Sequence, residues 1–71
     1  MYIKTFKSNS TQLMENKKWT PCGTLFEVID YGKQIITKTD NLPVQFNTKE
    51  EADRYFESYY LNQGYKPAKI N

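Results

Sequence analysis

The clearest chemistry in this chain of 71 residues is offered by lysines next to aromatic rings. Lys17 and Lys18 directly precede Trp19, so two ammonium groups stand beside a ring on which a nucleic-acid base can stack. Lys33 and Lys38 follow in a segment predicted to be a hairpin. Phosphate neutralisation by lysine and stacking on aromatic rings together bind single strands without sequence preference. These five residues are the candidate nucleic-acid-binding set.

Arginine content and charge distribution weigh against nucleic acid as the main partner. Arginine, which binds guanine and phosphate through two parallel hydrogen bonds, occurs only at Arg54, in an acidic segment. The net charge is only +2, and no run of five or six like charges marks a nucleic-acid-binding tail. Nucleic-acid binding is therefore the alternative hypothesis rather than the leading one.

The residue types that catalysis and metal binding most often require are missing. The chain has no histidine and a single cysteine, Cys22. A serine or cysteine nucleophile has no imidazole base here, and the usual zinc ligands are absent. The three glycines are far apart in the sequence, so they do not form a phosphate-binding loop. We therefore expect a protein without enzymatic activity, metal or small-molecule cofactor.

Cys22 and the lack of long apolar segments bear on location. Cys22 has no partner for a disulfide within the chain, which fits a reducing compartment. The first residues lack the apolar stretch of a signal peptide, and no apolar run approaches the roughly 20 residues of a membrane helix. The sequence therefore predicts a cytoplasmic protein that does not associate with a membrane.

Aromatic residues are more numerous than one small core requires. They make up 15% of the chain, as six Tyr, four Phe and one Trp. Tyr and Trp are enriched at protein-interaction hot spots, and a domain this small gains stability from a partner chain. We expect the surplus rings to contact another protein, with self-association as the simplest form. The candidate partner-binding residues are Trp19, Tyr31, Tyr60 and Tyr65.

A small β-sheet is predicted to position these residues. Residues 24–29 and 34–37 are rich in β-branched and aromatic types, and Gly32 between them supplies the positive φ of a tight turn. They predict a hairpin over residues 24–38. The form of residues 12–16 is left open. Further strands are predicted at 2–6, at 44–46 and at 65–70, the last at an edge of the sheet because of Pro67. Residues 21–23 are predicted to be an edge, a bend or a loop, and residues 40–43 a turn.

A single helix is predicted over about residues 48–63. Thr48 and Glu51 have the spacing of a capping box, and Gly64 suits the left-handed position that ends a helix. Phe46 is expected to pack back onto the helix. Tyr60 is predicted to point about 100° away from Tyr59 and from the core. The predicted buried stripe consists of Ala52, Tyr55, Phe56 and Tyr59.

The strand-to-helix passage also invites comparison with known folds. A hairpin, a short strand and the motif Phe46-x-Thr48-x-x-Glu51-Ala52 resemble sheet-type DNA readers, such as integrase arm-binding domains and plant ethylene-response-type domains. The same order is similar to that of small phage proteins that bind host enzymes. This is a likeness of fold, which by itself implies no function.

These elements predict one small domain over residues 1–71. Its class is α+β, with a small antiparallel sheet of three to four short strands and one C-terminal helix packed on one face. A single helix leaves the second face of the sheet free. The sequence therefore predicts a non-enzymatic protein-interaction or regulatory accessory module that uses that face or an edge strand.

Overall fold

The structure, a computed structural model, describes residues 2–13, 15–30 and 32–68. Four strands form one sheet in the order β5-β4-β1-β6, and β2 pairs with β3 in a separate small hairpin. One helix packs on the larger sheet, so the predicted α+β class and layout are confirmed. The described elements are β1 Tyr2–Ser8, β2 Thr11–Gln12, β3 Trp19–Thr20, β4 Cys22–Ile29, β5 Gln34–Asn41, α1 Lys49–Leu61 and β6 Lys66–Pro67.

The predicted hairpin supplies one edge strand, β5, and one central strand, β4, of the sheet. β4 pairs with β5 along the whole length of both strands, and β1 pairs antiparallel with the other side of β4. Gly32 has φ +89° and Asp30 has φ +55°, and the Lys33 N–H donates to the Asp30 carbonyl at 3.2 Å. Gly32 therefore supplies the positive φ that was predicted for this turn.

The two ends of the sheet differ from the simplest antiparallel prediction. β6 runs parallel to β1 and pairs with it over two residues, Thr5↔Lys66 and Phe6↔Pro67. The chain leaves the sheet through α1 and returns in the direction of β1, so this last pair is parallel. Pro67 lies at an edge, as its missing N–H requires.

Three local predictions are corrected by long-range pairing. Residues 21–23 are predicted to be an edge, a bend or a loop, yet residues 22 and 23 begin the central strand β4. Residues 40 and 41 were expected to turn, yet they complete β5. Residues 44–46 form no strand, and Phe46 makes only a single bridge to Trp19. Strand preferences are weak, and pairing with a neighbouring strand overrides them.

The helix buries one row of side chains against β1 and β4. Ala52, Phe56 and Tyr60 are buried at i, i+4 and i+8 of α1. The Phe56 ring is fully buried, with its centroid 6.0 Å from that of Phe6 and 4.8 Å from that of Tyr60. Leu25 of β4 packs in the same cluster. This row of aromatic and aliphatic side chains is the core of the domain.

The predicted buried stripe is wrong at two positions. Tyr55 and Tyr59 are 40% and 42% exposed, whereas Tyr60 is 4% exposed. The helix is therefore rotated so that its i, i+4 line, rather than the i, i+3 line, meets the sheet. Tyr55 instead packs against Phe46, whose ring centroid lies 5.3 Å away, which confirms that Phe46 folds back onto the helix.

Both ends of α1 are capped as predicted. The Thr48 hydroxyl accepts the Glu51 N–H at 3.2 Å and donates to the Glu51 carboxylate at 3.0 Å. After the helix, the Tyr65 N–H donates to the Tyr60 carbonyl at 3.0 Å, and Gly64 has φ +90°. This backbone bond and the left-handed glycine form a Schellman-type ending. The turn places the Tyr65 ring against Tyr60, with centroids 5.2 Å apart.

Asp53 connects the first half of the helix to the chain that follows β1. Its Oδ1 accepts from the Ser8 hydroxyl at 2.7 Å and from the Ser10 N–H at 3.1 Å. Its Oδ2 accepts from Lys49 Nζ at 2.7 Å. Partial burial alone would raise the pKa of Asp53, but the hydrogen bonds from Lys49, Ser10 and Ser8 outweigh it and hold that pKa well below its usual range.

This lowered pKa predicts a specific loss of stability in acid. The carboxylate stabilises the fold fully above its ordinary value of 3.8, and that contribution disappears as the pH falls through the folded-state value. We expect Asp53→Asn to lower the free energy of unfolding at pH 7 by about 1–3 kcal/mol, as for hydrogen bonds to a charged group. Urea unfolding should show this difference shrinking between about pH 5 and pH 2. A difference that stays constant over that range would contradict the assignment.

The far end of the β4–β5 hairpin extends past the helix. The molecule measures 43 × 23 × 21 Å, whereas a helix of 13 residues is about 20 Å long. No described residue from Phe26 to Asn41 is buried, and Ile36, on the helix side of the sheet, is 37% exposed. The core is therefore confined to one half of the long axis.

Candidate interaction surface

Tyr60 and Tyr65, predicted as partner-binding residues, lie in the core instead. They are only 4% and 9% exposed. The Tyr60 hydroxyl donates to the Asp40 carboxylate, and Lys4 Nζ lies 4.8 Å from the centre of the Tyr65 ring. The Tyr60 hydroxyl is satisfied inside the domain, and both rings contribute to the core rather than to the exposed surface.

The other two predicted anchors have different outcomes. Trp19 is half-buried in β3, where its backbone pairs with Gln12 on one side and Phe46 on the other. The Trp19 N–H donates to the Phe46 carbonyl at 2.7 Å. Trp19 therefore helps to connect the small hairpin to the start of α1. Tyr31 lies outside the described residues.

The predicted basic residues are spread along the molecule. Lys17 and Lys18 lie in the turn that leads into β3, and Lys18 Nζ hydrogen-bonds to Asn47 Oδ1. Lys33 lies in the turn that follows β4, whereas Lys17 and Lys18 precede β4 in the chain. The two ends of this strand are about 23 Å apart. Lys38 is in register with buried Leu25, on the helix side of the sheet. The structure therefore does not bring these lysines and Trp19 together into one patch.

The register of the three antiparallel strands defines the face that the helix leaves uncovered. Residues directly opposite each other in an antiparallel pair share a face. Phe6 and Leu25 are such a pair and lie under the helix, so their sequence neighbours point to the other side. We call the surface that these neighbours form the open face. Its three rows across β1, β4 and β5 are Ile3–Val28–Ile35, Thr5–Phe26–Thr37 and Lys7–Thr24–Thr39. None of these nine residues is buried.

The open face is mainly apolar at the end nearest the β4–β5 turn. Ile3 is 38% exposed and Ile35 is 60% exposed. Val28 lies between Ile3 and Ile35 in the same row, and Phe26 lies in the next row. Val28 and Phe26 are both half-buried. Lys7 is the only charged residue in the three rows. Contiguous exposed apolar side chains of this kind mark interaction surfaces in soluble proteins.

The outer edge of β5 adds free backbone groups to this surface. The Leu42 N–H donates to the Pro21 carbonyl at 2.9 Å, which fixes the hydrogen-bonding phase of the β4–β5 ladder. With the observed register, even-numbered residues of β5 direct their N–H and C=O groups to β4, and odd-numbered residues direct theirs outward. Ile35, Thr37 and Thr39 therefore form a row of outward donors and acceptors, and no described strand pairs with this edge.

The two edges of the sheet are unequal. β5 offers eight residues at its edge, whereas β6 consists of Lys66 and Pro67 only. A short edge strand that contains proline resists further pairing. At the end of β5, the Asn41 N–H is already taken by the Asp40 carboxylate at 3.0 Å. The middle of β5 is therefore the part of the sheet best able to accept another strand.

A groove of about 460 Å³ lies between the small β2–β3 hairpin and the end of β5, lined in part by Thr11, Thr20, Cys22 and Asp40. Among the described residues that line it, only Asp40 carries a carboxylate, which accepts the Tyr60 hydroxyl hydrogen bond. Among residues 2–13, 15–30 and 32–68, no group of three or more His, Cys, Asp or Glu side chains is placed to hold a metal ion. The groove thus brings together no paired acid and base.

The residues of the open face were not singled out by sequence reasoning. Residues 24–29 and 34–37 are apolar at adjacent positions, such as Val28 with Ile29 and Ile35 with Ile36. Both faces of the hairpin are therefore apolar near its turn, and alternation alone does not indicate which face the helix covers. Adjacent apolar pairs on either side of a tight turn could have indicated an exposed apolar face, because a lone helix covers only one of the two apolar faces of the hairpin.

Comparison of the chain with protein-family models, curated protein sequences and solved structures yields no significant match. In the part of the chain that the structure describes, no helix is long and apolar enough to cross a membrane.

Proposed function

We propose that this chain is a non-enzymatic protein-interaction module that binds another protein through its open face. The observation that carries the proposal is the one-sided cover of the sheet, which leaves Ile3 and Ile35 exposed beside Phe26 and Val28. Removing such side chains from water contributes about 25 cal/mol for each Å² of apolar surface buried. The absence of histidine from the sequence supports a binding role over acid–base catalysis.

The chemistry of the open face also describes the partner. Its rows near the turn offer aliphatic and aromatic contacts, and its last row offers threonine hydroxyls and the ammonium group of Lys7. A matching surface would be apolar, with a carboxylate at the end that meets Lys7. We also propose a reducing compartment such as the cytoplasm, because Cys22 is a free and only half-buried thiol.

A charge placed on the open face tests this function. We expect Ile3→Lys to abolish capture of the partner from an extract of the native cells, because the new ammonium would have to be buried in an apolar interface. Tyr59→Lys is the matched control, since Tyr59 is similarly exposed at 42% but lies on the helix. Immobilised native protein, Ile3→Lys and Tyr59→Lys are compared, each with and without nuclease, and the captured proteins are identified by mass spectrometry.

The pattern across the three baits decides the outcome. Proteins retained after nuclease by the native chain and Tyr59→Lys, but not by Ile3→Lys, support the proposal. Identical capture by all three baits would overturn the open face as the interface. Capture that disappears on nuclease treatment would instead favour nucleic-acid binding through Lys17, Lys18, Trp19, Lys33 and Lys38.

A further inference from the structure

The free backbone groups of β5 carry an inference that is independent of the side chains of the open face. We propose that two copies of this chain pair antiparallel along β5 and form one eight-stranded sheet, with four strands from each copy. The contact is made by main-chain N–H and C=O groups of Ile35, Thr37 and Thr39. Such an edge is recognised by another β-strand, which supplies complementary N–H and C=O groups.

The spacing of these residues makes the edge complementary to itself. In an antiparallel pair centred on Thr37, Ile35 lies opposite Thr39 of the second copy, and Thr37 lies opposite Thr37 of the second copy. Each of the three resulting pairs exchanges two hydrogen bonds, so the interface contains about six. All three outward N–H groups and all three outward carbonyls are then satisfied.

Side chains on the helix side favour the same register. In the arrangement centred on Thr37, Lys38 lies opposite Ile36 of the second copy, and Asp40 lies opposite Gln34 of the second copy. No charged side chain faces a like charge. Moving the centre one residue toward the end of β5 would place Lys38 directly opposite Lys38 of the second copy, which is unfavourable. The register that uses every free backbone group therefore also avoids charge repulsion.

The unequal edges favour a closed pair over a longer assembly. The two-fold axis of an antiparallel edge pair is perpendicular to the sheet, so both helices lie on one side and both open faces lie on the other. At the remaining edge of each copy, β6 has two residues and covers only Thr5 and Phe6 of β1, and Pro67 lacks an N–H, so this edge presents no continuous run of free backbone groups like that of β5. A closed pair with one joined open face is therefore favoured over a longer assembly.

An interface made by a single strand pair is small, so the dimer is expected to be reversible and concentration-dependent. Sedimentation equilibrium over a wide concentration range tests this with native protein, Thr37→Pro and Thr37→Val. Proline removes the outward N–H of Thr37 without removing a bond to β4. Valine changes the side chain and keeps the N–H. We expect the native chain and Thr37→Val to dimerise and Thr37→Pro to remain monomeric, with circular dichroism confirming that all three fold.

A measurement on the native chain keeps the test decisive if Thr37→Pro does not fold. Amide hydrogen exchange at Ile35, Thr37 and Thr39 should slow as the concentration rises. A native chain that stays monomeric at the highest concentration, with no change in exchange at these amides, overturns the proposal.

Ile3→Lys separates this inference from the proposed function. Ile3 lies in β1, about 10 Å from β5, so we expect this variant to dimerise normally. Dimerisation that is lost in Ile3→Lys and retained in Thr37→Pro would place the contact on the open face and reject edge pairing, while the open-face function would stand.

Discussion

Gly23→Ala is expected to lower the free energy of unfolding by about 2–3 kcal/mol, toward the upper end of the cost of overpacking. A Cβ at this position would lie 2.4 Å from the Lys7 carbonyl oxygen and 2.6 Å from Cζ of Phe56. The carbonyl belongs to β1, which is paired with β4 along its whole length, so the backbone has little freedom to move away. Thermal unfolding followed by circular dichroism should show a midpoint about 10–20 °C lower.

Gly32→Ala is the control that separates crowding from backbone conformation. Gly32 has φ +89°, but an added Cβ there meets no atom within 4 Å. Its cost comes from the left-handed conformation alone and should be about 1 kcal/mol. Equal losses for the two variants would contradict the steric explanation for Gly23.

A second substitution identifies the Phe56 ring as part of the obstruction. Leucine at position 56 lacks the ring atoms that approach Gly23, so Phe56→Leu should cost less in the Gly23→Ala background than in the native chain. The Lys7 carbonyl still crowds the new methyl group, so the rescue is partial. A double-mutant cycle measures this coupling directly.

Phe56→Ala is expected to leave the domain unfolded at room temperature. Phe56 is completely buried and contacts Phe6 and Tyr60. Truncating a buried phenylalanine costs about 3–5 kcal/mol, which matches or exceeds the few kcal/mol of net stability of a domain this small. One-dimensional proton NMR should show the loss of dispersed amide and methyl signals.

Tyr59→Ala on the same helix should change stability by less than about 1 kcal/mol. Tyr59 is 42% exposed, although it belongs to the buried stripe predicted from sequence. A Tyr59→Ala variant as damaged as Phe56→Ala would mean that the helix presents the originally predicted face to the sheet.

The parts of the fold that were predicted correctly are those coded over short distances. Gly32 specifies the hairpin turn within four residues, and Thr48 specifies the start of α1 through its own hydroxyl. The parallel partner of β1 was not predictable in this way. β6 is placed by the length of α1 and by the Gly64 turn, so its pairing depends on packing rather than on local preference.

The rotation of the helix shows why side-chain periodicity was insufficient. Tyr55, Phe56, Tyr59 and Tyr60 are all aromatic, so two rotations of the helix place aromatic side chains on the sheet. Phe56 is buried in both, and the residue that distinguishes them is Tyr60, whose ring packs near Phe6 and whose hydroxyl donates to Asp40. The contact between Tyr60 and Asp40 joins residues 20 positions apart, which no helical pattern contains.

The burial of two predicted anchor residues, Tyr60 and Tyr65, has a related physical reason. A surplus of tyrosines suggested surface anchors, yet a tyrosine can be buried when its hydroxyl finds an acceptor, as Tyr60 does at Asp40. On the open face, the exposed apolar residues are aliphatic, namely Ile3 of β1 and Ile35 of β5. Only the strand register shows that these two residues share a face.

The confinement of the core to one half of the long axis makes stability uneven along the hairpin. The residues nearest the β4–β5 turn are held by ladder hydrogen bonds and few buried contacts, so they separate at a lower free energy than the half under α1. The paired ends of β4 and β5 next to the turn can therefore open while Phe56 and its neighbours stay packed. Under the proposed function, a partner docked on the open face would deform these strand ends at little energetic cost to the rest of the molecule.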